Sequence, residues 1–221
     1  MSEWQLVKRH DSFYRLAKQE GYRARSSFKL KQINERFGII HNGFAVVDLG
    51  CAPGGWMQVA KEIVGESGVV IGIDLKQIKP VEGCVFIQGD MTSEETVREV
   101  LDAISASGRK IDAVISDMSP NISGAYSMDH ARSIDLCEHA LSFARKVLRP
   151  GGSFIAKVFE GDLFPEYFNS VKSSFDFVKR YAPDASRSSS SELYVVAKRF
   201  YPRGVPRKQS KSLSSPKVVE S

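Results

Sequence analysis

Apolar residues collect in seven short runs, at 44–49, 69–75, 85–90, 111–117, 152–159, 175–182 and 193–200. Their length and their content of Val, Ile and Phe predict buried strands. Between the runs the apolar period changes. In 129–148, Ile134, Cys137, Leu141, Ala144 and Leu148 recur at alternating steps of three and four, one face of a helix. The R-P-G-G at 149–152 stops that helix before the next strand. In 93–105, Val97, Val100, Leu101 and Ile104 repeat the pattern behind Ser93, a good N-cap. Helical patterns also cover 55–64 and 164–173, and 4–19 and 26–37 lie ahead of the first strand. Strand alternating with helix predicts an α/β fold. It is a Rossmann-like, seven-stranded, mostly parallel sheet with helices on both faces. The last two runs are joined by a loop alone, which predicts an antiparallel strand at the sheet edge.

The first run ends in V-V-D-L-G-C-A-P-G-G-W, with Asp48 at the strand end and glycines at Gly50, Gly54 and Gly55. A tight glycine loop between the first strand and a helix is a nucleotide-type cofactor site. A dinucleotide loop wants its second glycine where this chain has Ala52, and Pro53 removes a backbone donor that a pyrophosphate would use. The acidic-x-Gly-x-x-x-Gly spacing of Asp48, Gly50 and Gly54 suits S-adenosylmethionine (SAM), which has no phosphate but needs close backbone approach. Asp74 ends the next strand, twenty residues past Gly54, where a carboxylate can hold ribose hydroxyls. Asp90 ends the third strand and can receive an adenine amino group.

The chain has 221 residues, 42% hydrophobic, which suits one domain over 1–200. No apolar stretch reaches membrane-span length, and the start has no apolar signal region. No membrane partner is expected. Cys51, Cys84 and Cys137 are odd in number and lack a C-x-x-C pair, so they read as apolar fillers of a cytoplasmic protein, with no metal site. The net charge of +5 is unevenly placed. Residues 1–36 carry nine Lys/Arg against four Asp/Glu, 198–221 seven against one, and 37–197 fifteen against twenty-one. Basic residues interleaved with Trp4, Phe13, Tyr14, Tyr22 and Phe28 make the helices of 1–37 an RNA-contacting segment, with Lys8, Arg9, Arg15, Lys18, Arg23 and Arg25 as phosphate grips. The tail, 201–221, is basic, lacks periodicity and reads as disordered.

Two lysines bear on the reaction. The fourth strand runs into Asp117, and Lys157 interrupts the apolar run G-G-S-F-I-A-K-V-F of the fifth. A lysine in such a run needs a partner or a function. Lys29 lies on the early helix S-S-F-K-L, and Glu192 opens the last strand.

These stretches carry a resemblance. Y-R-A-R-S-S-F-K-L, D-L-G-C-A-P-G-G-W, G-I-D-L, G-D-M-T, S-D-M-S-P-N-I-S-G, F-I-A-K-V-F and S-S-S-S-E-L-Y resemble the FtsJ/RrmJ family of RNA ribose 2′-O-methyltransferases. The family's Lys-Asp-Lys-Glu tetrad falls on Lys29, Asp117, Lys157 and Glu192. The resemblance implies SAM contacts at Gly54, Trp56, Asp74, Asp90 and Asp117, and no metal. It implies a monomeric enzyme that methylates a uridine ribose of large-subunit ribosomal RNA. The chemistry agrees with the residues, because a ribose 2′-hydroxyl is a weak nucleophile until its proton leaves. A lysine in water is almost wholly protonated at neutral pH, and burial or a nearby cation moves it towards the neutral amine. Lys157 is thus expected as the base, Lys29 as its tuner and RNA positioner, Asp117 as orienter, and Glu192 as the holder of Lys29 or the ribose. A tRNA anticodon-loop methyltransferase and a non-catalytic SAM-binding ribosome-assembly factor are the alternatives. A nicotinamide dehydrogenase fits less well.

Overall fold

The computed structural model describes residues 12–186 and 191–202. Lys8, Arg9 and Trp4, the first part of the helix expected at 4–19, and the tail from 203 lie outside the described residues. Helix α1 covers 12–19 and α2 covers Ser27–Phe37. The remainder alternates as the apolar runs predict. It comprises β1 (Ala45–Leu49), α3 (Gly55–Val64), β2 (Val69–Asp74), β3 (Val85–Gln88), α4 (Glu94–Ala106), β4 (Ile111–Ser116), α5 (Tyr126–Val147), β5 (Leu148–Phe159), α6 (Phe164–Lys172), β6 (Phe175–Tyr181) and β7 (Glu192–Phe200).

Local chemistry sets the boundaries. The Ser93 hydroxyl accepts the Glu95 N–H at 3.2 Å and caps α4, with Glu94 and Glu95 favourably placed in its first turn. Helix α2 stops at Gly38, whose φ of 56° lets its N–H turn back to the Asn34 carbonyl. R-P-G-G does end α5, but β5 starts at once. The four residues become a bulge, the pairing with β4 jumping from Ile111–Leu148 to Ala113–Ser153.

The strand order is β3-β2-β1-β4-β5-β7-β6. The first five strands are parallel, and the connection reverses direction between β1 and β4. That switch point leaves a crevice beyond the carboxyl ends of the two strands. The antiparallel hairpin expected at the edge is present, with one added feature. β7 passes inside β6 and pairs with β5 as well, antiparallel to both.

Alternation along the strands separates two cores. Val47, Leu49, Ile71, Val114, Phe154, Ala156, Val195 and Ala197 pack against α4, α5 and α6. Val46, Val70, Ala113, Ile115, Ile155, Tyr194 and Val196 pack against α2 and α3. Side chains point to opposite faces at successive positions, so parity alone assigns each residue its side. Asp48 shares the parity of Val46, Lys157 that of Ile155, and Tyr194 that of Val196. All three therefore lie on the α2/α3 side, where Lys29 also is.

Candidate active site

The glycine loop is shaped by what presses on it. Gly50 has φ of 68°, and a methyl group added there would lie 2.1 Å from the Met118 Cγ. Gly54 has φ of 106° and begins α3, and a Cβ there would sit 2.8 Å from Val81. Gly55 lies under Ser27, whose Oγ would be 2.7 Å from an added Cβ and which donates to the Gly55 carbonyl at 3.1 Å. Larger residues would push the loop out of the crevice or the N-terminal segment off α3.

Four carboxylates lie at or just past the ends of β1 to β4. Asp74 accepts the Ala52 N–H through Oδ2 and the Lys76 N–H through Oδ1, both at 2.9 Å, which ties it to the loop. Asp90 accepts the backbone N–H and the hydroxyl of Thr92 through Oδ1, both at 2.8 Å. The Thr92 N–H, then its hydroxyl, hold the Asp90 carboxyl below the usual range. Asp48 is buried, and its Oδ2 has no hydrogen-bond partner in the protein. Burial raises its carboxyl well above the usual range, and the charges of Asp117 and Asp74 add to the effect. An orphaned buried carboxyl oxygen calls for a donor from outside the chain. At the start of α3, the amides of Gly55, Trp56 and Met57 lack intrahelical acceptors. This set fits a ligand with ribose hydroxyls, amino groups and a carboxylate.

Trp56 meets the crevice differently from a ligand-facing side chain. Its indole is 2% exposed, donates to the Ser26 carbonyl at 2.8 Å and stacks on Tyr194 at 5.8 Å between centroids. Any cofactor contact from this residue comes from its backbone.

Two lysine–carboxylate pairs stand beside the crevice. The Lys157 Nζ donates to the Asp117 carbonyl at 2.6 Å and lies 3.2 Å from its Oδ1. The Lys29 Nζ is paired with the Glu192 Oε1 and lies 5.8 Å from the centre of the Tyr194 ring. Both lysines are nearly buried, at 5% for Lys29 and 8% for Lys157. Such charges persist inside a fold only when paired. The four tetrad positions, spread over 163 residues, thus meet in one place.

β7 explains the meeting. Lys157 faces Tyr194, and Phe159 faces Glu192, across the β5–β7 ladder. Had β6 taken that place, Glu192 would stand a strand further off, about 5 Å.

Tyr194 is the residue that the sequence reading missed. It is fully buried, and its hydroxyl donates to the Asp117 Oδ1 at 2.6 Å. Burial raises the phenol well above its usual range, with the charges of Asp117 and Glu192 adding to this. The detectable signal was its parity with Val196. A tyrosine buried among aliphatics needs a partner for its hydroxyl.

The basic positions divide. Arg15 and Lys18 are exposed on α1, with Lys18 Nζ 5.0 Å from the centre of the Tyr14 ring. Arg25 is half-buried close to Tyr194. The Arg23 guanidinium is spent on backbone, donating to the carbonyls of Pro53 (3.1 Å), Lys79 (2.5 Å) and Pro80 (2.5 Å). It straps the glycine loop to the segment after β2. Burial raises all three thiols, Cys137 to about 12, Cys84 to about 11 and Cys51 higher still, which disfavours their thiolates. Among the described residues no helix is long and apolar enough to cross a membrane, and no cluster of His, Cys, Asp and Glu could hold a metal ion.

Comparison with known proteins gives concordant matches. The model of the family described as FtsJ-like methyltransferase matches residues 22–200. A protein from Methanothrix thermoacetophila named ribosomal RNA large subunit methyltransferase E is 56% identical over 190 residues, covering 86% of this chain and 72% of the relative. One of the same name from Methanocaldococcus jannaschii is 53% identical over 199 residues, covering 89% and 81%. Among solved structures, a protein from Plasmodium falciparum named as a candidate ribosomal RNA methyltransferase superposes with a TM-score of 0.73. It is 26% identical and covers 82% of this chain and 100% of its own.

Proposed function

The chain belongs to the FtsJ-like methyltransferase family, and from that premise we propose that it methylates the 2′-oxygen of a uridine ribose in large-subunit ribosomal RNA, with SAM as donor and Lys157 as general base. The observation that carries this reading is the fixed direction of the Lys157 amine. An amine that is to act as a base must first shed a proton, which leaves it two N–H donors and one lone pair. The Asp117 carbonyl and carboxylate stand where they can take both hydrogens. The lone pair is then left a single direction, in which it can receive a proton at Nζ from a ribose 2′-hydroxyl.

The remaining residues serve that transfer. Tyr194 holds the Asp117 carboxylate in place through its hydroxyl, and Trp56 packs behind the tyrosine ring. Lys29 uses one N–H on Glu192 and keeps two for ribose or phosphate oxygens. Asp74 would hold ribose hydroxyls of the donor, Asp90 its adenine amino group, and Asp48 and Asp117 its amino group. The α3 amides would take its carboxylate, with Gly50, Gly54 and Gly55 permitting the close approach. When bound, SAM supplies a methyl group already activated by its sulfonium. Arg15, Lys18 and Arg25 would steer the RNA phosphates, while Arg23 keeps the loop closed. The enzyme acts as a monomer in the cytoplasm, on ribosomal RNA.

The test is transfer of labelled methyl from SAM to purified large subunits, free ribosomal RNA and tRNA, with the modified nucleotide then mapped. Large-subunit RNA should be labelled at a uridine 2′-oxygen. Lys157→Ala should abolish the transfer while SAM affinity stays within a fewfold. Labelling of tRNA alone, no labelling at all, or near-normal turnover by the lysine variant would overturn the reading.

A further inference from the structure

Of the eight large apolar side chains exposed among the described residues, Ile122, Tyr126, Met128 and Leu163 collect around one end of α5. Apolar clustering of this kind on a surface marks an interaction site. Two of them, Ile122 and Tyr126, line a hollow of about 280 Å³ together with Gly124, Asp129, His130, Phe159 and Ser191. None of these residues has a part in the chemistry described above.

The hollow is rigidly built. Buried Asp129 accepts the Ser123 N–H (2.8 Å), the Ser123 hydroxyl (2.7 Å) and the Gly124 N–H (3.0 Å), which pins the loop before α5. The Tyr126 hydroxyl donates to the Glu160 carbonyl at 2.6 Å, which fixes its ring although the residue is 63% exposed. The His130 Nε2 accepts the Leu163 N–H at 3.0 Å, so Nδ1 carries the proton and donates to the Phe159 carbonyl at 3.0 Å. Both ring nitrogens are satisfied, and the histidine serves as a wall. Its plane lies 12° from that of Tyr126, with ring centres 6.3 Å apart. A pre-ordered aromatic surface costs little entropy when a flat ligand binds.

Charge and position select the ligand. Glu160 and Asp162 stand on the adjoining turn, and Arg180 is paired with Glu160 at 3.2 Å. That environment disfavours a phosphate and leaves a flat uncharged ring as the fitting guest. Phe159 follows Lys157 by two residues on β5, about 7 Å along the strand, and Ser191 adjoins Glu192. The hollow therefore takes part of its lining from the strand that carries Lys157 and from the residue that precedes Glu192.

We propose that this hollow is a subsite for the nucleobase flanking the methylated nucleotide, unstacked from its own strand and laid on Tyr126. Unpaired bases splayed onto aromatic rings are the usual means by which proteins hold single-stranded RNA. The proposal rests on the RNA reading above and adds where the strand runs. It predicts an unpaired substrate around the modified nucleotide.

The test uses short RNAs spanning the mapped nucleotide, with an abasic residue placed in turn at each flanking position. Binding is read by fluorescence anisotropy and SAM affinity by calorimetry. Tyr126→Ala should weaken RNA binding at least about fivefold and leave SAM affinity unchanged. One abasic position should cost the wild type a similar factor and cost the variant nothing further. Tyr126→Phe, which keeps the ring, should retain most of the affinity. Ile122→Glu, on the exposed rim, should weaken RNA binding without touching the Tyr126 anchor. Unchanged affinity in both disruptive variants, or abasic losses equal in wild type and Tyr126→Ala, overturns the subsite while RNA methylation stands. If the wild type methylates no RNA, the reading of function falls and the subsite with it.

Discussion

Asp48 shows how far one residue can be taken. The unfolded carboxyl ionises near pH 4, whereas burial keeps the folded one protonated to well above that. The unfolded chain therefore binds fewer protons as pH rises past 4, and the cofactor-free fold loses stability over that rise until the folded carboxyl ionises. An amide has no such loss. Asp48→Asn should raise the melting temperature of the cofactor-free protein at neutral pH, and the gain should shrink below about pH 4. The same variant should bind SAM more weakly, because the orphaned oxygen loses its acceptor strength. Thermal melts between pH 3.5 and 8, with and without SAM, check both parts. A variant less stable than wild type at pH 7 would place a missing donor inside the protein.

At the scale of elements, the path of β7 matters most for the site. The seven apolar runs, the Ser93 cap and the R-P-G-G stop were all legible, because they depend on neighbours in sequence. That Glu192 stands beside Phe159 was not legible, since a hairpin at an edge can enter the sheet with either strand inward. The hydrophobic pattern of β6 and β7 permits both, and the inner place went to β7, whose burial is nearly complete. The α1 element carries its own expectation. Arg15 and Lys18 are exposed there, and Arg15→Gln with Lys18→Gln should lower RNA affinity. The slope of log affinity against log salt should become shallower by about 1 to 2, as expected for two lost phosphate contacts. An unchanged slope under salt titration removes α1 from the RNA path.

The whole molecule is stapled through its buried aromatics, and alkali reports on them. Tyr167 and Tyr194 are fully buried, and burial raises both phenols well above 10. Unfolded phenols ionise near 10, so the stability tied to these two is complete below that pH and is lost as pH rises beyond it. While the protein stays folded, phenolate absorbance should account for at most five of its seven tyrosines. The remaining two should appear only as circular dichroism collapses. Seven titrating while the dichroism is intact would show that Tyr194 is accessible, and its bond to Asp117 would be lost.

The sequence by itself determined the strands and the glycine loop, because periodicity and turn chemistry are local properties, while the tetrad was pointed to by the family resemblance. Strand parity puts Lys157 and Asp48 on one side only once the packing shows that Val46 and Ile155 share a core. Tertiary structure supplied the geometry of the pairs expected for the lysines, Asp117 at 3.2 Å from Lys157 and Glu192 on Lys29 rather than left to the ribose alone. It also decided that Tyr194 braces Asp117, that Arg23 serves the loop, and that Tyr126 and His130 wall a hollow. Each of these depends on contacts between segments far apart in the chain, whose distances follow from the order in which strands join the sheet.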